Sequence, residues 1–97
     1  MAVILCISSQ TARGYIGGSA SRIALERLGH QAWLLPSVIL SNHPGHTVFA
    51  GEQVPPGRLR AMLDALKANG WIGEIDAVLT GYLPTPDHVR FAEAAIK

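Results

Sequence analysis

The chain has 97 residues, of which 48% are apolar, with a formal net charge of +1 and a single cysteine. That composition excludes a disordered chain and an internal disulfide framework, and the scattered basic residues exclude a nucleic-acid or anionic-membrane surface. The apolar start, Met1–Ile7, has no basic flank and falls far short of the roughly 20 residues of a membrane span, so one soluble cytoplasmic domain, 1–97, is expected.

Val3–Ile7 reads as a buried strand, ended by Ser8-Ser9. A loop over Gln10–Gly18 follows, with Gly14, Gly17 and Gly18, and Ser19 is placed to cap a helix. Ala20, Ile23, Ala24 and Leu28 form that helix's apolar stripe, and Gly29 ends it. Gln31–Leu35 predicts a second strand stopped by Pro36, with Val38–Leu40 continuing the extended path into a polar turn, Ser41-Asn42-His43-Pro44-Gly45-His46. There Pro44 fixes φ and Gly45 permits φ > 0. Thr47–Gly51 and Gln53-Val54 suggest a short excursion or hairpin. Pro55-Pro56 opens a helix whose stripe is Leu59, Met62, Leu63 and Leu66, terminated by Asn69-Gly70. Ile75–Thr80 predicts a third buried strand, with Asp76 at its start and Gly81-Tyr82 at its end. Thr85 and Pro86 then begin a last helix with the stripe Val89, Ala92 and Ile96, which runs into Lys97 without a stop signal, as though the chain were part of something longer. The order β-α-β-excursion-α-β-α argues for an α/β fold with a mostly parallel sheet.

The candidate chemistry gathers where strands end. Ser8-Ser9 and the glycine loop suit either an anion at a helix N-terminus or tight strand-to-helix packing, and the loop is neither a dinucleotide fingerprint nor a Walker loop. His43 and His46, three apart on the turn, have a spacing compatible with a shared metal, but a site needs three or four ligands, so hydrogen bonding by His43 to a ligand or to the turn is favoured, and no metal site is assigned. Cys6 belongs to the core rather than to nucleophilic chemistry. Trp33 and Trp71 suit core or interface, and Tyr82 suits either a ligand ring or a cap on the core. No acid stands out as a general base, so no catalytic residue is assigned.

Three blocks of residues carry a resemblance. Ile4–Gln10 with Gly14-Tyr15-Ile16-Gly17-Gly18-Ser19-Ala20, then Ser41-Asn42-His43, then Val78-Leu79-Thr80-Gly81-Tyr82 are similar, in order and spacing, to the amino-terminal part of pyridoxal kinases. The resemblance implies a partial ribokinase-like three-layer α/β fold. It also implies ATP-dependent phosphorylation of the hydroxymethyl group of pyridoxal, and often of pyridoxine and pyridoxamine, giving pyridoxal phosphate or its analogue. Carried over by position, Ser9 meets the ring edge, Ile16 and Val38 wall the ring, His43, Pro44 and Gly45 lie over it, and Tyr82 lines the same pocket. ATP and Mg2+ would be bound mainly by parts of such a kinase beyond these residues, and the catalytic aspartate motif of the family is absent from this sequence. The family implies a homodimer.

Two departures stand out: Gly18 occupies a position where many relatives have Asn, and Pro44 one where many have Thr, which removes a hydroxyl. A stand-alone binding module and another ribokinase-like vitamin kinase, such as one acting on hydroxymethylpyrimidine, are the competing expectations. A chain of this extent is also expected to leave a sheet edge and apolar helix faces uncovered.

Overall fold

A computed structural model describes residues 1–96. Its elements are β1 (Val3–Thr11), α1 (Gly18–Arg27), β2 (Gln31–Leu40), β3 (Gly51–Gln53), α2 (Pro56–Ala68), a 3-10 turn (Ile72–Glu74), β4 (Ala77–Thr80) and α3 (Pro86–Ile96). They form one four-stranded sheet in the order β3-β2-β1-β4, parallel except for β3. The chain steps from β1 to β2 on one side, then crosses to β4 on the other. Right-handed crossovers in opposite directions put their helices on opposite faces, giving three layers with α1 on one side and α2 and α3 on the other. This is the α/β arrangement, mostly parallel, that the element order predicts.

The core lies under α2 and α3, where Leu5, Ile7 and Leu35 of the sheet meet Val54, Leu59, Leu63, Phe91 and Ala92. Burying a leucine such as Leu59, fully enclosed here, stabilises the fold by about 1.5–3 kcal/mol. On the opposite face Gly18 lies so close to the sheet that a Cβ there would stand 2.6 Å from Leu34 Cδ1, which sets the approach of α1.

Several boundaries differ from the sequence expectation. β1 does not end at Ser8-Ser9; it runs to Thr11 because Ser8, Gln10 and Thr11 still find partners in Pro36, Ile39 and Leu40 of β2. Pro36 does not stop β2. Proline is tolerated at a bulge or on an unpaired strand side. A register shift falls just beyond Pro36, and β3 pairs only with Val38–Leu40, so the missing N–H costs no ladder bond to β3. Ser19 is not the cap of α1; Gly17 holds that position, and Ser19 Oγ instead accepts the Thr11 N–H at 3.1 Å. Ala24 and Leu28 of the expected α1 stripe are exposed, as is Met62 of the α2 stripe. The helices end at Gly29 and Gly70 as expected, each with paired bonds back to the last turn (Gly29 N–H to Glu26 O and His30 N–H to Leu25 O; Gly70 N–H to Lys67 O and Trp71 N–H to Leu66 O).

β4 is shorter than expected and is not buried: among the described residues it pairs with β1 alone, and three of its four residues are exposed. Asp76 does stand at its start, where Oδ2 accepts the Val3 N–H at 2.8 Å. The excursion is a hairpin, with β3 antiparallel to the end of β2. In α3 the buried residues are His88, Phe91 and Ala92; Val89 and Ile96 of the expected stripe are exposed, and Lys97 lies outside the described residues.

Candidate functional site

Parallel strands leave a crevice at their carboxyl ends where the chain's direction across the sheet reverses, and α/β proteins place ligands there. Here the reversal falls at β1, between β2 and β4. A cleft of about 520 Å³ opens at that point. Its floor is Ser9 and Thr11 from β1 with Val38 and Leu40 from β2, and one wall is Ile16 and Gly17 from the loop into α1. The hairpin supplies His43, Pro44 and Phe49 from its loop and Gly51, Glu52 and Gln53 from β3, and Tyr82 closes the side beyond β4.

Close packing shapes this crevice. A Cβ on Gly17 would overlap Ser9 Oγ, and one on Gly81 would overlap Ser8 Oγ, so both loops approach the end of β1 only because they carry glycine there. Tyr82 is anchored through its backbone: the buried Ser37 hydroxyl donates to Tyr82 O at 2.6 Å, and Gly81 N–H donates to Ile7 O at 2.9 Å. The Tyr82 ring itself is exposed at the rim.

The Ser41-Asn42 pair braces the hairpin loop. Ser41 Oγ donates to Asn42 Oδ1 at 2.7 Å and accepts the Ala50 N–H at 3.0 Å. Asn42 Nδ2 donates to His43 O and Val48 O at 3.1 and 3.3 Å. These bonds fix the loop over the cleft without engaging the cleft itself. His43 Nδ1 accepts the Gly45 N–H at 2.9 Å, which leaves Nε2 as its free ring position.

Of the seven residues singled out from the sequence, Ser9, Ile16, Val38, His43, Pro44 and Tyr82 line this one cleft. Gly45 is not among its lining residues. Nor is it one of the described glycines with positive φ; it is tight against the His43 ring, where a Cβ would stand 2.8 Å from Nδ1. The His43 and His46 rings meet edge to face at 6.5 Å, and among the described residues no cluster of three His, Cys, Asp or Glu side chains is placed to hold a metal ion. Cys6 is fully buried in β1, and burial pushes its thiol up, partly opposed by Arg22.

Sequence reading missed Thr11, Leu40, Phe49, Gly51, Glu52 and Gln53 as cleft residues. For Leu40 and Gln53 the signal is the β2–β3 register, which pairs Leu40 with Gly51 and Val38 with Gln53 and so puts all four on the cleft face. The same register pairs Glu52 with Ile39, one step along the pleat from Gln53, and Glu52 also lines the cleft.

Chemically the cleft is an apolar slot with a few polar groups at its floor and rim, suited to a flat ring bearing polar substituents. Glu52 is the acidic residue of its lining, and among the described residues no cluster is placed to hold a metal ion.

No family model matches the chain. Among individual proteins, it is 38% identical over 79 residues to pyridoxal kinase PdxY of Corynebacterium diphtheriae, covering 81% of this chain and 28% of that protein. It is 34% identical over 94 residues to pyridoxal kinase PdxY of Pseudomonas putida, covering 97% of this chain and 32% of that one. The chain therefore spans about a third of the length of the curated relatives it matches. Among solved structures, pyridoxal kinase from Leishmania donovani in complex with ADP and pyridoxamine superposes with a TM-score of 0.91 at 31% identity, over 96% of this chain and 32% of that one. The same enzyme has also been solved with ADP and pyridoxine.

Proposed function

We propose that this chain, which belongs to the pyridoxal kinase family over the third of the fold it spans, forms the acceptor side of an ATP-dependent kinase that phosphorylates the hydroxymethyl group of pyridoxal. The observation that carries this reading is the single cleft at the carboxyl ends of β1 and β2, where Ser9, Ile16, Val38, His43, Pro44 and Tyr82 converge. Ser9 supplies a hydroxyl to the ring edge, Ile16 and Val38 sandwich the ring, and the braced hairpin loop with His43 and Pro44 covers it. Tyr82 closes the open side.

ATP, Mg2+ and the group that takes the hydroxymethyl proton belong to the remaining two thirds of a protein of the relatives' length. Phosphoryl transfer needs charge stabilisation that no cluster of the described residues provides. Binding of the acceptor by this chain positions the hydroxyl and excludes water, which is its share of the work. The kinase is proposed to act as a cytoplasmic homodimer on pyridoxal, pyridoxine and pyridoxamine.

The test is a coupled assay of the protein carrying this chain at the relatives' full length, with pyridoxal and MgATP. Formation of pyridoxal phosphate is expected. Ser9→Ala is expected to raise KM by about three- to tenfold, the loss of one hydrogen bond. Phosphorylation of hydroxymethylpyrimidine in preference to all three B6 forms would overturn the substrate reading.

A further inference from the structure

The cleft's polar side chains differ in what they have left to offer. Thr11 Oγ1 gives its proton to Gly14 O at 2.8 Å and can only accept from a ligand, and His43 Nδ1 accepts the Gly45 N–H, which leaves Nε2 alone for one. Glu52 sits opposite Ile39, on the alternate face of the pleat from Gln53. Pro44, over the slot, carries no hydroxyl. Gln53 is different. It pairs with Val38, shares the cleft face with Val38 and Leu40, and is exposed. Its position is firmly held. The next residue, Val54, is buried and tied at both ends, its N–H donating to Ser37 O at 2.9 Å and its carbonyl accepting from His88 Nε2 at 2.7 Å. A polar side chain on a strand locked in this way is preorganised for recognition.

Resting on the substrate reading above, we infer that Gln53 is a specificity-determining residue of this cleft, whose carboxamide reads the ring substituent that distinguishes pyridoxal, pyridoxine and pyridoxamine. A carboxamide both donates and accepts. Its NH2 donates to a formyl or hydroxymethyl oxygen, and its oxygen accepts from an aminomethyl ammonium, so one side chain serves all three forms without favouring a charge. It thereby supplies, from β3, a hydrogen-bonding group that Pro44 lacks.

The experiment is calorimetric titration of the full chain with pyridoxal, pyridoxamine and 4-deoxypyridoxine, which carries a methyl group in place of the variable substituent. Gln53→Leu is expected to weaken pyridoxal and pyridoxamine by about five- to tenfold while leaving 4-deoxypyridoxine within twofold. Gln53→Glu, an acceptor only, is expected to raise the pyridoxamine-to-pyridoxal affinity ratio by about tenfold through a charge-assisted bond. A purely structural role would move all three ligands together. Equal shifts for all three in Gln53→Leu, or an unchanged ratio in Gln53→Glu, would overturn the assignment while leaving the B6 reading standing. A wild-type chain that is folded by circular dichroism yet binds none of the three would overturn both.

Discussion

Gly17 is where backbone and site are most tightly coupled. Its dihedrals, φ 57° and ψ −126°, lie where a side chain is strained, and a Cβ would run into Ser9 Oγ. Two penalties are therefore superposed in Gly17→Ala: backbone strain of about 1–3 kcal/mol and a collision with the residue at the cleft floor. The expected outcome is a lower urea midpoint together with weaker pyridoxal binding. Repeating the substitution in a Ser9→Gly background removes the collision but not the strain, so part of the lost stability should return. If all of it returns, the dihedral carries no cost. The sequence shows Gly17 plainly as a loop glycine. It does not show that the residue excluded by a Cβ there is Ser9, because that requires knowing that β1 runs on to Thr11. Ser9 and Tyr82 were readable as rim residues because each follows an apolar run, whereas Gln53 was not, since its relation to Val38 exists only through an antiparallel register.

At the scale of elements, α3 shows how one polar residue misleads a periodicity. Val89, Ala92 and Ile96 form an acceptable stripe on paper, but the buried set is His88, Phe91 and Ala92, one position round the helix. The reason is that His88 belongs to the core with all its bonds met. Val54 O can only accept, so Nε2 carries the proton. Nδ1 lies 2.7 Å from Thr85 Oγ1, which also accepts the His88 N–H at 3.3 Å. The imidazole thus joins the start of α3 to the strand-to-helix connection beside the cleft. His88→Ala removes both ring bonds and leaves a cavity, with an expected cost of about 2–4 kcal/mol in guanidinium unfolding. His88→Gln, which can still reach Val54 O and fills most of the space, should cost distinctly less; equal losses for the two would mean that neither the bond to Val54 O nor the filled volume is what His88 contributes. The strands were legible for the opposite reason. Val3–Ile7 and Val38–Leu40 are apolar runs that no polar residue interrupts, while Pro36 looks like a stop in the sequence because its exemption depends on a bulge and on where β3 ends.

The whole molecule is a slab, 43 × 31 × 19 Å, with a radius of gyration of 13.4 Å against about 12.5 Å for a typical domain of this length. Its weak side is β4. The strand pairs with β1 on one edge and with nothing among the described residues on the other, and Leu79 is 43% exposed. Beside it, Ile72, Ile75, Val78, Ala95 and Ile96 line a second hollow of about 570 Å³, together with Arg60, Asp64, Lys67 and Asp76. A free parallel edge with exposed apolar side chains such as Leu79 and Ile96 near it is a template for pairing with another chain. The chain of 97 residues is therefore expected to self-associate through β4, with a weight-average mass in sedimentation velocity that rises with concentration. Leu79→Lys places a charge on that edge and should return the chain towards monomer. Leu28→Lys, equally surface-directed but at the C-cap of α1, should change nothing, because Leu28 is 74% exposed and belongs to neither β4 nor its partner strand. Association that survives Leu79→Lys and falls with Leu28→Lys would place the adhesive surface on α1. A wild-type chain that stays monomeric at every concentration would mean that the β4 edge is protected by its own twist and brevity.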